Sequence, residues 1–206
     1  MTKTVGKVEY RADNVFTGGV YGLCYFLNDS VVACGYDDDD RYGNLKVLSP
    51  SLELVQTLVR HDGYVECVTV SPSGSHFASG VSDGKVIIWS EPGEGGEWAR
   101  VQVLEEHTDR IRAVCFSPDG KQLATGSWDY LINLYSFNEG SAILAHTLEG
   151  HTDWVKSLSF SHDCYFFLIP FFTLLYFTLH KESLHLLQCF SFRLWNKFPD
   201  EQKGNR

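Results

Sequence analysis

The chain has 206 residues, 44% of them hydrophobic and 14% aromatic, with 18 glycines and a formal net charge of −9 at pH 7. This composition is too apolar and too aromatic for a disordered chain, and it suffices for a packed core. The acidic balance argues against nucleic-acid phosphate as a direct partner, because phosphate binding needs clustered Lys and Arg.

Six cysteines stand at 24, 34, 67, 115, 164 and 189 without a C-x-x-C pair, so the thiols are expected to be reduced and structural. Residues 1–15 are polar, with one expected strand at Gly6–Tyr10 and no long apolar run of the secretory type. A cytoplasmic or nuclear location is therefore expected. In the segment 16–58, strands are expected at Val20–Tyr25, Asn28–Cys34, Gly43–Leu48 and Leu52–Leu58. Segment 59–104 contains His61–Trp89 and an outer strand at Val101–Leu104, joined by the Gly- and Glu-rich linker Glu91–Glu97. Segment 105–148 contains three β-type runs, Ile111–Phe116, Gln122–Gly126 and Leu131–Tyr135, separated by Ser-Pro-Asp-Gly and Ser-Trp-Asp turns, and a further outer strand at Ala142–Leu148. Segment 149–196 opens cleanly at Gly150–Asp153 and continues through Val155–Phe160 before its pattern breaks; 197–206 is a polar tail.

His61–Trp89 matches His107–Tyr135 position for position without a gap, and His61, His107 and His151 follow one another at 46 and 44 residues. A self-similarity near 45 residues marks stacked four-stranded units, none of which buries its apolar faces alone. The pattern resembles the WD-repeat family of β-propellers. The resemblance implies an all-β fold, here an incomplete β-propeller of four-stranded antiparallel blades, since a closed ring of seven such units would need roughly 300 residues. It also implies a hydrogen-bond chain within each blade. By offset this falls on His61, Ser79, Asp83 and Trp89 in one unit, and on His107, Thr125, Asp129 and Tyr135 in the next. In the segment 16–58 Phe16, Cys34, Asp38 and Leu48 take these positions, so three of the four signature residues are replaced.

The interruption is the apolar segment 165–190. Its first part, 165–179, carries no charge, yet it is short for a membrane span and contains Pro170. The Phe-, Leu- and Tyr-rich mix is what a thymine-rich non-coding stretch gives when translated, so a retained intron or a gene-model error is the expectation. A genuine insertion, or membrane association through 165–179, is the alternative.

Several motifs fail on context. Asp37–Asp40 lacks the Gly and Glu of a calcium loop, since Tyr42 and Leu48 hold those positions. Gly80–Gly84 fits G-x-S-x-G, but β-branched residues follow where a nucleophile elbow needs a helix. His180, His185 and Cys189 lack a fourth ligand at metal-site spacing, and the Asn28 sequon needs a secretory route. No catalytic residue, metal or cofactor is expected, and His–Ser–Asp sets that recur in each repeat suit scaffolding rather than catalysis. The resemblance implies a non-catalytic scaffold that binds other proteins through loops at one rim. The residues it points to are Tyr64, Arg110 and Trp154 before the inner strands, and Ser82 and Trp128 before the turn Asp. Tyr, Trp and Arg are the types enriched in interface hot spots. Self-association through open blade edges, and a truncated product without activity of its own, are the other expectations.

Overall fold

Ser-Pro-x-Gly segments at Ser71–Gly74 and Ser117–Gly120 reverse the chain after two of the inner strands. They place Gly74 and Gly120 at φ 75° and 68°, the left-handed region where glycine is free of Cβ strain. In the computed structural model, which describes residues 15–38, 43–58, 63–91, 96–161 and 166–168, these turns join strands into successive antiparallel sheets. Blade 1 is β1 (Val20–Tyr25), β2 (Val31–Tyr36), β3 (Gly43–Leu48) and β4 (Leu54–Leu58). Blade 2 is β5 (Val65–Val70), β6 (His76–Val81), β7 (Val86–Ser90) and β8 (Ala99–Leu104). Blade 3 is β9 (Ile111–Phe116), β10 (Gln122–Ser127), β11 (Ile132–Asn138) and β12 (Ser141–Leu148). A two-stranded beginning of a fourth blade follows, β13 (Leu158–Phe160) and β14 (Phe166–Leu168). The fold is all-β, and among the described residues the sheets do not close into a ring and no helix occurs.

β14 lies inside the segment expected to interrupt the repeat. It pairs antiparallel with β13 in the place of a second strand, Leu158 opposite Leu168, so the blade pattern continues a few residues into that segment. The rest of 165–190 lies outside the described residues, as do Gly6–Tyr10 and the metal ligands considered at 180, 185 and 189. Among the described residues no helix is long and apolar enough to cross a membrane, and no cluster of metal-ligating side chains occurs.

Blades stack face to face, with the first strands side by side: β1 on β5, β5 on β9, β9 on β13. One contact repeats. A β-branched residue at or just before the start of an inner strand seats over a glycine in the second strand of the blade before. A Cβ on Gly80 would lie 2.5 Å from Ile111 Cγ2, and one on Gly126 would lie 2.5 Å from Val155 Cγ1. Around these seats the cores fill. Val32, Leu45 and Val47 pack with Val65, Phe77 and Trp89, and Ala78, Ile88 and Leu104 pack with Ile111, Leu123 and Tyr135.

Two outer-strand glutamines add a polar clasp. Gln56 donates to the Trp98 carbonyl at 3.2 Å and accepts the Trp98 N–H at 2.8 Å; Gln102 does the same to Ala142 at 2.8 and 2.7 Å. Each amide thus bridges to the next blade's outer strand as a ladder residue would.

The described cysteines are free thiols in these interfaces. Burial pushes Cys34 and Cys115 up to about 12 and raises Cys24 and Cys67. The Cys24 and Cys67 thiols donate to the Val68 and Ile111 carbonyls of the following blade.

Blade 1 has no described predecessor, and its inner strand shows it. Val65, Ile111, Val114 and Phe116 are at most 9% exposed, whereas Val20, Leu23 and Tyr25 at the matching positions are 55, 54 and 67% exposed.

The glycine seats give a direct test. Gly126→Val should lower stability to denaturant by about 1–3 kcal/mol, the usual cost of overpacking. Adding Val155→Ala to Gly126→Ala should recover part of the loss of Gly126→Ala alone, because the cavity receives the new methyl.

Candidate functional site

In blade 3 the expected chain forms at its inner end. His107, 6% exposed, holds Asp129 Oδ2 through Nδ1 at 2.8 Å and Thr125 Oγ1 through Nε2 at 2.8 Å. Asp129 also accepts the N–H groups of Thr108 at 3.0 Å and Leu131 at 2.9 Å. Burial pushes its carboxyl up, but these two N–H groups and His107 outweigh that and leave it below the usual carboxylate range. The loop entering β9 is thereby tied to the β10–β11 turn.

At the outer link the Tyr135 hydroxyl donates to Glu106 Oε2 at 3.1 Å. Burial first, and Glu106 next, raise its pKa, while hydrogen bonding with Asn133 and Thr125 pulls it down. In blade 2, Trp89 Nε1 donates to Ser79 Oγ at 3.0 Å in a buried bond. There Asp83 accepts the Lys85 N–H at 3.1 Å and lies 3.6 Å from Lys85 Nζ; His61 lies outside the described residues.

Blade 1 carries a substitute. Its β1–β2 turn closes with Phe26 N–H on the Ser30 carbonyl, one residue tighter than Ser71 on His76 or Ser117 on Gln122. The register therefore moves by one. Ala33, not Cys34, stands opposite Leu23 where Ser79 and Thr125 stand opposite Val68 and Val114. Asp37, not Asp38, takes the turn role: it accepts the Thr17 N–H at 2.9 Å, as Asp129 accepts Thr108. The missing His is replaced by Lys46, whose Nζ reaches Asp37 Oδ2 at 2.7 Å and the Val15 carbonyl at 2.6 Å and lies 4.5 Å from the Phe16 ring centroid. In blade 4 His151 corresponds to His107; its Nε2 is buried with no hydrogen-bond partner among the described residues, and burial lowers its pKa. In register, Leu168 stands opposite Leu158 as Thr125 stands opposite Val114.

Above these ties lies the rim. The two positions singled out in each repeat are joined by a backbone hydrogen bond: Ser82 N–H to the Tyr64 carbonyl at 2.8 Å, Trp128 N–H to the Arg110 carbonyl at 3.0 Å. The same bond in blade 1 runs from Tyr36 to Gly19 at 2.9 Å. Tyr64 and Trp154 are exposed, at 39 and 40%. The Ser82 hydroxyl is turned into its own loop, where it accepts the Tyr64 N–H at 2.9 Å. Trp128 is half-buried, and its indole N–H is buried with no hydrogen-bond partner among the described residues. It stacks on Trp154 across the blade boundary, centroids 4.1 Å apart at 11°, and Arg110 lies 5.2 Å from its centroid.

Other rim residues escaped the sequence. Tyr21, Glu66 and Arg112 share the second position of their inner strands, and Lys156 stands at the same offset in the repeat, two residues before β13. Tyr21 packs with Tyr36 and Tyr64, centroids 5.7 and 6.4 Å apart. Glu66, its side chain 7% exposed, pairs with Arg112 and with Arg110, the latter at 3.3 Å. The 45-residue spacing of these positions was the available signal. The one-residue turn change hid Tyr36.

Repeated four-stranded antiparallel sheets with a His–Thr–Asp tie beneath one rim define a protein of the β-propeller blade type. A family model described as WD domain, G-beta repeat, matches residues 52–90, 98–136 and 143–169, just over half of the sequence. The chain belongs to the WD-repeat family. It is 34% identical over 122 residues to Elongator complex protein 2 of Arabidopsis thaliana, a match covering 52% of this chain and 15% of that protein. It is 50% identical over 50 residues to ribosome biogenesis protein WDR12 homolog of Chlamydomonas reinhardtii, covering 24% of this chain and 11% of that protein. The chain thus spans a small part of the length of these relatives.

Removing one buried partner leaves the other unsatisfied, so Thr125→Val should cost about 1–3 kcal/mol in denaturant unfolding. For Asp129 the folded pKa lies below the unfolded one. Its contribution is complete above the unfolded value near 3.9 and is lost as pH falls through the folded one. The acid limb of unfolding should therefore be shallower in Asp129→Asn than in the parent chain, measured by circular dichroism.

Proposed function

We propose that this chain is a non-catalytic scaffold that binds other proteins through the rim bearing Tyr64, Arg110 and Trp154. The observation that carries the proposal is the repeated geometry. Equivalent loop positions in successive blades, Tyr64 and Arg110, are held at one rim by the same backbone bond, and with Trp154 they present the side-chain types that anchor interfaces. In blade 3 the polar set under the rim is satisfied within the blade, which suits rigidity rather than turnover. Ser82 contributes through its loop rather than its hydroxyl. The printed names of the relatives, a subunit of the Elongator complex and a ribosome biogenesis protein, agree with a place in a multiprotein assembly in the cytoplasm or nucleus. No cofactor and no nucleic acid enter this reading.

One observation favours a second mode of association. The exposed strip Val20, Leu23 and Tyr25 has the composition of a face that a preceding blade covers elsewhere in the chain. Self-association through this open face is the second reading.

Affinity capture with the immobilised full chain should retain a defined protein. Tyr64→Ala and Trp154→Ala should each weaken capture several-fold while leaving the melting temperature nearly unchanged, because both side chains are exposed. Trp128→Ala should also lower the melting temperature, since its ring is sandwiched. Concentration-dependent light scattering that disappears in Leu23→Asp would mark the open face as the site of self-association.

A further inference from the structure

We infer that the end of the blades opposite the rim carries a second docking site, a cleft between blades 1 and 2 that takes a basic side chain of a partner's segment. The alkyl stem rests on Leu27, Val55 and Trp98, and the cation lies against Glu91 and Glu97. This goes beyond the rim reading and does not depend on it.

Successive strands of a blade run in opposite directions, so the β1–β2, β3–β4 and β5–β6 turns and the β7–β8 linker meet at this end. Between the first two blades they enclose a cleft of about 570 Å³. That is the size of pockets that hold a ligand or an anchoring side chain. Leu27 and Val55, 77 and 64% exposed, line it together with Trp98. Trp98 is held firmly. Its ring stacks on Phe26 with centroids 4.9 Å apart, and its backbone is clasped by Gln56, which also lines the cleft.

The next blade boundary shows what fills the same place there. The Phe137 N–H meets the Lys121 carbonyl as the Glu91 N–H meets the Ser75 carbonyl, and His76 closes the β5–β6 turn as Ser30 closes the β1–β2 turn. Between blades 2 and 3 the rings of Phe137 and His76 meet edge to face, centroids 5.5 Å apart. Between blades 1 and 2 the corresponding residues are Glu91 and Ser30, and both line open space. The occupant therefore supplies an apolar body where a ring pair sits one repeat later, and it faces a carboxylate there.

The charge of the cleft selects that occupant. No Lys or Arg lines it, and neither Glu91 nor Glu97 is ion-paired among the described residues. In the flanking turns Asp29 and Glu53 add negative charge, and Arg100 on β8 offsets only part of it. Lys121 belongs to the next blade's turn, where its N–H meets Asp119. The local excess has the same sign as the net charge of −9, so both favour the approach of a basic segment. Lys and Arg side chains cover apolar surface with their methylenes while the charged head stays in a polar setting, which matches apolar walls beside carboxylates.

The test uses the full chain and two fluorescein-labelled dodecapeptides, one alternating Lys and Ala and one alternating Glu and Ala, followed by anisotropy. The Lys–Ala peptide should bind saturably, the Glu–Ala peptide should not, and added salt should weaken binding. Glu91→Gln and Glu97→Gln should each weaken the complex about 1.5- to fivefold, as expected of exposed charge pairs. Glu91→Phe, which places in the cleft the side chain that Phe137 supplies one repeat later, should weaken it further. Glu149→Gln and Tyr64→Ala, both toward the rim, should leave it unchanged. Equal binding of both peptides, or no loss in Glu91→Gln and Glu97→Gln, would overturn the inference. An equal loss in Glu149→Gln would reduce the effect to overall charge, and an equal loss in Tyr64→Ala would move the peptide to the rim; either result also overturns it.

Discussion

The fit of one β-branched side chain over one glycine is the constraint on which the structure depends. Ile111 sits over Gly80 and Val155 over Gly126, each so close that a single added carbon would collide. This spacing lets the faces of neighbouring sheets meet without a void, so apolar residues on both sides reach full burial. A four-stranded sheet of this size cannot bury both of its faces alone. Stability therefore belongs to the pairs of blades rather than to any blade, and the exposed strip on β1 is what a blade looks like without its predecessor.

The polar ties do a different task. They fix loops against strands in places where backbone groups would otherwise be left unpaired. Blade 3 uses His107, Thr125 and Asp129, and blade 1 reaches the same result with Lys46 and Asp37. What the fold requires is a buried donor beside the turn carboxylate, supplied by an imidazole or an ammonium group. In blade 4 the Nε2 of His151 is buried with no hydrogen-bond partner among the described residues, a costly state for a polar group.

The rim follows from both. Because the seats fix the separation of the blades and the ties fix the loops, residues far apart in sequence, Tyr21 with Tyr64 and Trp128 with Trp154, come into ring contact. Trp128 and Trp154 could serve as independent anchors only if their loops were apart. Instead they form one stacked unit with Arg110, and Arg110 is in turn held by Glu66 from the preceding blade. The rim is a connected surface whose members act together, so single substitutions there are expected to couple.

Much of this was legible in the sequence because strand alternation and turn chemistry are local. The runs at Val20–Tyr25 and Ile111–Phe116, the Ser-Pro-x-Gly reversals and the equal spacing of His61, His107 and His151 are each visible within a few residues or one repeat. They sufficed for the all-β blade architecture and for the inner links of blade 3. Tertiary structure alone decided the rest. The tighter turn at Phe26–Ser30 moved the register of blade 1 by one, transferring the turn role from Asp38 to Asp37 and bringing in Lys46, whose place no signature residue announces. The Gln56 and Gln102 clasps, the Glu66 bridge and the indole stack link residues of different blades. Periodicity fixes which face a side chain takes. The distance across a blade boundary is set by packing, and sequence spacing carries no measure of it.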